Sequence, residues 1–346
     1  MRALIADYDG KLSMGDLSMP TPTPYQALTR TVSCGVCSGT DMKIIHGQFK
    51  GVDAYPVSLG HEAIGEVVEV GSKVASFHVG DFVTLPFLYE TTDGVAPAWG
   101  AFAEYGLIGD AAAMQADGVG GIDDSYFAQK VVHPEDVDLV DVAMLITFRE
   151  VCSSLKHFGA KAGQTAVIYG AGPVGRCFTR FASLMGLDRI MVIDINDAKC
   201  AEAAESGATH TLNSLTANPV EWARDLAPEG VDYVIDAAGN SALLNQGMNM
   251  VKDRGKICAY GISPVMNAAF DWSLAPYNWT MQFQQMPRKP EEGAVHDQVM
   301  AWIRSGQLKL ADFVSDRIPF DHITDAFDLV SEHRDSTKKI VISYPR

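Results

Sequence analysis

Cys37, His61 and Glu62 are the side chains whose types and spacing best suit metal chemistry. Cys37 lies in the segment CGVCSGTD (34–41), and the other two lie in GHEAIGEVVEVG (60–71). Zinc takes thiolate, imidazole and carboxylate ligands, and a catalytic zinc needs three protein ligands and one open position. Cys37 and His61 also have simpler interpretations, since a buried Cys often serves as a small hydrophobe and a His beside an apolar strand often lies in the core.

A glycine-rich turn follows a strand-like run in the second half of the chain. The run TAVIY (165–169) leads into GAGPVG (170–175), and a helix-like segment follows. Gly170 would permit a tight turn, Gly172 would let the backbone approach a pyrophosphate, and Gly175 would let the helix pack close to the strand. The unpaired N–H groups at the helix start favour a phosphate. The pattern predicts cofactor-binding residues at Gly170, Gly172, Pro173, Val174 and Gly175.

An acidic residue completes this dinucleotide pattern. Asp194 ends the run RIMVID (189–194), 19 residues after Gly175. A carboxylate at this place accepts hydrogen bonds from the adenosine ribose and repels a 2′-phosphate, so it favours NAD over NADP. Asp194 can also cap the next helix, and the two roles are compatible. The combined pattern predicts an NAD site.

Composition bounds the class of protein. A chain of 346 residues with 47% apolar and 20% charged residues is typical of a globular protein with two domains. The net charge of −16 argues against nucleic acid or an anionic membrane surface as a partner. No apolar run is long enough to span a membrane, the first residues do not resemble a secretory signal, and six scattered cysteines suit reduced thiols. We therefore expect a cytoplasmic protein.

The predicted secondary structure that must position these residues changes along the chain, from short strands to alternating strands and helices. Residues 1–108 predict short strands separated by turns, 109–125 predict a surface loop, and 125–132 predict one more strand. From about residue 147, strands alternate with helices, which predicts βαβ units and a parallel sheet. The predicted helices include 147–158 and 241–252, and a closing strand is predicted at 339–343. The fold class is therefore α/β.

The order of several motifs resembles the medium-chain dehydrogenase/reductase family, whose zinc-dependent members are alcohol and polyol dehydrogenases. The resemblance rests on GVC (35–37) with a following Thr-Asp, on the pattern GHExxGxVxxVG (60–71), on GDxV (80–83) and on GAGPVG. It covers nearly the whole chain. It implies a GroES-like β-rich catalytic domain over 1–146, a Rossmann NAD-binding domain over 147–286, and a return to the catalytic domain over 287–346.

The resemblance also implies roles for individual residues. Cys37 and His61 would be zinc ligands, Glu62 a carboxylate that contacts the metal, and Thr40 the hydroxyl that relays the alcohol proton. Asp236 would end a strand facing the cofactor, although it can equally cap the helix that follows. Family members bind small-molecule alcohols and are usually homo-oligomers, either dimers or tetramers.

The sequence departs from the family pattern at three places. The segment 84–120 contains no cysteine, so no structural zinc is expected. The loop after Cys37 is one residue longer than usual, so either Ser38 or Thr40 can present the relay hydroxyl. The family's third ligand should fall near residues 146–147, which are Ile and Thr here. The nearest carboxylate, Glu150, could be a metal ligand, but the preferred interpretation is a capping box that starts a helix at Thr147.

If metal is bound, Glu62 is therefore the preferred third ligand beside Cys37 and His61. The leading hypothesis is an NAD-dependent dehydrogenase that oxidises a secondary alcohol on a polyol, cyclitol or sugar, with zinc polarising the substrate oxygen. One alternative is a zinc-free oxidoreductase on the same fold, in which His61 and Glu62 do acid–base work directly. A further alternative is a non-catalytic dinucleotide-binding protein.

Overall fold

A computed structural model describes residues 1–263, 265, 267–332 and 337–345. Its strands, in chain order, are β1 (Arg2–Ala6), β2 (Leu12–Asp16), β3 (Gln26–Val36), β4 (Val57–Ser58), β5 (Glu62–Val70), β6 (Phe82–Thr84), β7 (Ala96–Pro97), β8 (Tyr105–Gly109), β9 (Val131–Val132), β10 (Thr165–Tyr169), β11 (Arg189–Asp194), β12 (His210–Asn213), β13 (Val231–Asp236), β14 (Val251–Ala259), β15 (Thr280–Phe283), β16 (Val314–Pro319) and β17 (Lys339–Ser343).

The α-helices, in the same order, are α1 (Asp41–Ile45), α2 (Ala111–Ala116), α3 (Met144–Phe158), α4 (Pro173–Leu184), α5 (Asp197–Glu205), α6 (Pro219–Leu226), α7 (Ser241–Met248), α8 (Lys289–Ala294), α9 (His296–Arg304) and α10 (Ile323–Glu332). The chain divides into two compact units. The first unit is Met1–Arg149 with Arg288–Arg346, and the second unit is Glu150–Pro287.

The second unit is built on a six-stranded parallel sheet. Its strand order is β12-β11-β10-β13-β14-β15, and each neighbouring pair is parallel. Strand β10 lies in the middle of the sheet because its residues 166–169 are apolar and buried, as a strand covered on both faces must be. The order reverses between β10 and β13, and doubly wound folds bind ligands at such a reversal. The predicted Rossmann-type doubly wound parallel sheet is confirmed.

The first unit contains a four-stranded sheet and a larger sheet of order β16-β17-β3-β5-β6-β9, with β8 also paired to β3. Strand β17 comes from the C-terminal segment and pairs with β3, placing Ile342 opposite Cys34. Strands β3 and β5 are antiparallel neighbours in which Gly35 pairs with Glu62. The end of β3 therefore lies beside the start of β5. This register brings the segment after residue 36 next to the segment before residue 62.

Two predictions for residues 109–132 were wrong. Residues 109–125 contain helix α2, which forms because alanine favours helix and because the Asp110 carboxylate accepts a hydrogen bond from the Ala113 N–H. In place of a strand over 125–132, the chain forms a 3-10 helix at Asp124–Ala128, which is followed by the short strand β9. The Asp123 carboxylate accepts a hydrogen bond from the Ser125 N–H and so starts that helix.

The predicted helix over 241–252 also ends early. Helix α7 stops at Met248 because Val251 already pairs with Val231 in the parallel sheet. The predicted domain boundaries at 146/147 and 286/287 stay a prediction. Within the described ranges, no helix is both long enough and apolar enough to cross a bilayer.

Candidate functional site

The pairing of β3 with β5 brings the side chains of Cys37, His61 and Glu62 close together. One donor atom from each of the three side chains lies within 4.8 Å of the others. His61 and Glu62 are buried, with 8% and 1% of their surface exposed, whereas Cys37 is half-buried. The three residues join because Cys37 follows the last residue of β3 and His61 precedes the first residue of β5. A sulfur, a nitrogen and an oxygen donor thus meet at one end of the sheet.

Asp41 lies behind this cluster, at the start of helix α1. Its carboxylate Oδ1 is 3.4 Å from the His61 Nδ1, and its Oδ2 accepts a hydrogen bond of 2.9 Å from the Cys37 N–H. Asp41 is fully buried. Burial lowers the pKa of His61, but the Asp41 carboxylate and the Cys37 sulfur outweigh it and hold this pKa well above its usual value. Asp41 therefore fixes both His61 and the backbone that carries Cys37.

Glu62 is held by two residues that are distant in the sequence. Lys339, on β17, places its Nζ 2.8 Å from Oε1 and 2.6 Å from Oε2, and the Thr147 hydroxyl donates to Oε1 at 3.1 Å. Lys339 and Thr147 are both buried. Burial raises the pKa of Glu62, but the Lys339 ammonium and then His61 outweigh it, so the pKa is lowered. Glu62 is thus a buried carboxylate that remains ionised.

The capping-box prediction for Glu150 was wrong. Helix α3 begins at Met144, after a 3-10 turn at Asp141–Ala143, so Thr147 lies inside the helix rather than at its start. The Thr147 hydroxyl, which the prediction assigned to a backbone N–H, donates to Glu62 instead. At the expected third-ligand position Ile146 is fully buried and apolar. Among the described residues, Glu62 is the carboxylate that lies together with Cys37 and His61.

The donor set fits a zinc ion. A proton on the His61 Nδ1 directed at Asp41 would leave Nε2 for a metal, and a carboxylate partner of this kind orients most metal-binding histidines. At 3.4 Å the contact between the His61 Nδ1 and the Asp41 Oδ1 is mainly electrostatic. Glu62 carries about four lone-pair sites, of which the described contacts use three. One oxygen can therefore still coordinate.

Thr40, the predicted relay hydroxyl, precedes helix α1. It is buried, and its side chain makes no capping hydrogen bond to that helix, while Ser38 is half-buried. Both hydroxyls remain candidates for the proton relay.

Sequence reasoning missed Lys339 and Trp99. The Trp99 ring centroid lies 5.2 Å from that of His61 and 6.0 Å from that of Phe49. Trp99 has φ of +65°, an unusual conformation for a bulky side chain. A signal for Lys339 exists in the sequence, since a lysine that opens the apolar strand KIVIS needs a buried partner. Trp99 had no comparable signal.

The glycine-rich turn of the second unit connects β10 to α4. Gly170 has φ of +90°, which favours glycine. A Cβ on Gly175 would lie 1.8 Å from the Gly170 carbonyl oxygen, whereas a Cβ on Gly172 would meet no described atom within 4 Å. Gly172 is also the N-cap of α4, and Pro173 and Val174 open that helix. Gly175 thus serves packing, and Gly172 faces open space.

Two carboxylates flank this turn at the carboxyl ends of their strands. Asp194 accepts hydrogen bonds from the N–H groups of Ala171, at 2.7 Å, and of Ile195, at 2.8 Å. Asp236 is buried and accepts from the N–H groups of Ala238 and Gly239. Burial raises the pKa of Asp236 from 3.8 to about 6. Asp236 also lines a cavity of about 450 Å³ with Ser241, Ser263 and Gln285.

Two family models match this chain. The alcohol dehydrogenase GroES-like domain matches residues 23–142, and the zinc-binding dehydrogenase domain matches residues 173–281. An alcohol dehydrogenase from Geobacillus stearothermophilus is 30% identical over 272 residues, which cover 75% of this chain and 76% of that protein. The chain belongs to the zinc-type medium-chain dehydrogenase/reductase family. The predicted GroES-like character of the first region is confirmed.

Solved structures share the fold at lower identity. An alcohol dehydrogenase from Escherichia coli CFT073, complexed with NADH, is 21% identical with a TM-score of 0.81 and covers 99% of both chains. A structure classed as a zinc-binding dehydrogenase from Sinorhizobium meliloti 1021, bound to NADP, is 24% identical with a TM-score of 0.78. It covers 99% of this chain and 98% of its own. At these identities the likeness shows the fold alone.

Proposed function

We propose that this protein is an NAD-dependent alcohol dehydrogenase that oxidises a secondary alcohol with the help of one catalytic zinc. The proposal rests mainly on one observation, which is that one donor atom from each of Cys37, His61 and Glu62 lies within 4.8 Å of the others. A related protein named alcohol dehydrogenase supports the activity, and the Asp194 carboxylate beside the glycine-rich turn supports NAD as the cofactor. The first unit would activate the substrate, and the second unit would bind the dinucleotide. No structural zinc is proposed.

The residues of the first unit would hold the metal and move a proton. Cys37, His61 and Glu62 would coordinate zinc, and Asp41 would keep the His61 ring in the orientation that coordination needs. Zinc, when bound, would act as a Lewis acid that lowers the pKa of the substrate hydroxyl. The hydroxyl of Thr40, or that of Ser38, would accept the alcohol proton and pass it on. Burial of His61 and Glu62 would strengthen these electrostatic interactions.

The residues of the second unit would bind NAD. The open space at Gly172 and the N-terminus of α4 would take the pyrophosphate. Gly170, Pro173, Val174 and Gly175 would shape the turn. NAD, when bound, would accept the hydride from the substrate carbon. Asp194 would contact the adenosine ribose through a remaining lone pair on its carboxylate and disfavour a 2′-phosphate, and Asp236 would order the next turn.

The proposed substrate is a polyol, cyclitol or sugar. The test is a panel of secondary alcohols of these classes, assayed for NADH formation with NAD and in parallel with NADP. We expect turnover of at least one panel member with NAD and loss of turnover in Cys37→Ser. NAD binding without turnover by the zinc-loaded protein, on this panel and on simple and aromatic alcohols, would instead indicate a non-catalytic dinucleotide-binding protein.

A zinc-free oxidoreductase is the second candidate function. It is favoured by one specific observation, which is that Thr147 and Ile146 occupy the positions expected for a third ligand. In that case His61 would act as the acid–base group, and the carboxylates of Glu62 and Asp41 would influence its protonation. Full turnover in protein without metal would establish this candidate in place of the first.

We also propose the domain division 1–146, 147–286 and 287–346 along the chain. In addition, we propose that the protein is a homo-oligomer. Strand β15 lies at the edge of the parallel sheet, and an open edge invites pairing. The exposed side chains of Phe283, Trp272 and Met286 lie on or near this strand in the sequence. Light scattering after size exclusion would show a dimer or tetramer, and a monomer at micromolar concentration would contradict the proposal.

A further inference from the structure

The hydroxyl of Thr147 makes an unusual hydrogen bond for a threonine inside a helix. Threonines inside helices commonly bond a carbonyl of the preceding turn, as Thr179 of α4 does with the Gly175 carbonyl at 2.8 Å. The Thr147 hydroxyl instead donates to the Glu62 Oε1, 85 residues away in the sequence. Both threonines are buried. The side chain of Thr147 therefore serves Glu62 rather than its own helix.

The hydrogen bonds on Glu62 are distributed unevenly between its two oxygens. Oε1 accepts from both Thr147 and Lys339, whereas Oε2 accepts only from Lys339 among the described contacts. A carboxylate oxygen has two lone pairs, so Oε1 is saturated and Oε2 retains one. Oε2 also lies 2.4 Å from the point where a Cβ on Gly35 would be, on the strand that leads to Cys37. A side chain at this position would have to displace that oxygen.

We propose that Thr147 is a positioning residue for the metal site, and that it makes Oε2 of Glu62 the third metal ligand. This inference rests on the proposed function, because it concerns the same zinc. The hydroxyl of Thr147 fixes Oε1 and thereby the rotation of the carboxylate, while Lys339 compensates the charge of Glu62. The third ligand is thus supplied by β5, with α3 contributing only a hydrogen bond. All three ligands then lie at the β3–β5 end of one sheet.

A double-mutant cycle on zinc affinity tests this role. Thr147→Val removes the hydroxyl at nearly constant shape, Glu62→Gln removes the charged ligand, and the third variant combines both. Zinc affinity is measured by competition with a chromogenic chelator, and the coordination of Co²⁺ is followed by its visible absorption. We expect Thr147→Val to weaken zinc binding about tenfold, within the range for partners of metal ligands, and Thr147→Ser to retain affinity. Thr147→Val should change the affinity less than twofold in the Glu62→Gln background.

Thr179→Val serves as the matched control, because it removes a buried helical hydroxyl that bonds its own turn in the second unit. It should leave zinc affinity unchanged. Thermal unfolding of the metal-free variants checks that each is folded, and Thr147→Ala replaces Thr147→Val if the valine does not fold. Equal weakening by Thr147→Val with and without Glu62, or no weakening at all, would overturn the inference while leaving the proposed function intact. Absence of zinc binding by the unmodified protein would overturn both.

Discussion

The Asp41 Oδ1 lies 3.4 Å from the His61 Nδ1, and both atoms are buried at the end of the β3–β5 sheet. The same carboxylate also accepts the Cys37 N–H through its other oxygen. One aspartate therefore fixes two of the three proposed metal ligands. This contact links the local fold of the loop after β3 to the chemistry proposed for the site.

Asp41→Asn tests that link. The substitution keeps the size and one acceptor but removes the charge that faces His61, so zinc binding should weaken about ten- to one-hundredfold. Chelator competition measures the affinity, and the exposed Asp9→Asn is the matched control with an expected ratio near one. Unchanged zinc affinity in Asp41→Asn would show that the carboxylate does not orient His61 for a metal.

Alanine substitutions at two glycines of the turn that follows β10 should affect different properties, cofactor binding in one case and thermal stability in the other. A Cβ on Gly172 meets no described atom, so Gly172→Ala should keep the melting temperature and weaken NADH binding about tenfold or more by filling the space for the pyrophosphate. A Cβ on Gly175 would lie 1.8 Å from a carbonyl oxygen, so Gly175→Ala should lower the melting temperature. Calorimetric unfolding and NADH fluorescence titration measure the two effects. Equal NADH affinity in Gly172→Ala would contradict the proposed pyrophosphate site.

The cofactor preference should depend on Asp194. Asp194→Asn retains a hydrogen-bond acceptor but loses the charge that repels a 2′-phosphate, so the ratio of kcat/KM for NAD over NADP should fall about tenfold or more. Asp197→Asn, an exposed acid at the start of α5, is the control and should not change the ratio. If the unmodified enzyme already prefers NADP, the assignment of Asp194 as an NAD determinant is wrong.

Asp236 predicts a pH dependence of stability in the absence of cofactor. Its folded pKa is raised by burial from 3.8 to about 6, so the folded state binds the proton more tightly than the unfolded state between these values. The stability that protonation contributes is complete below pH 4 and is lost as pH rises through 6. The loss is about 3 kcal/mol, at about 1.4 kcal/mol for each pKa unit.

Asp236→Asn should remove this dependence, because the amide oxygen can still accept the N–H groups of Ala238 and Gly239. Urea unfolding at pH 4 and pH 7 compares the two proteins. The variant should gain free energy of unfolding relative to the unmodified chain at pH 7 but not at pH 4. A difference that is the same at both pH values would exclude a raised pKa at Asp236.

The sequence predicted the parallel sheet of the second unit well because its signals are local. Strands β10 and β11 have the predicted bounds, since buried apolar runs and the glycine turn are read within a few residues. The trio Cys37, His61 and Glu62 was also found from local motifs. Lys339 and Thr147 were not assigned to Glu62, because their partner lies 277 and 85 residues away. Such contacts depend on which strands and helices become neighbours in the fold, and local sequence patterns do not indicate this.

The zinc content of the purified protein, measured together with alcohol-dependent NADH formation before and after chelation, tests the proposed metal site most directly. We expect about one zinc per chain, loss of activity on removal of the metal, and recovery when Zn²⁺ is restored. His61→Ala should lower both zinc content and activity. Full activity in protein shown by elemental analysis to contain no metal would exclude a catalytic zinc.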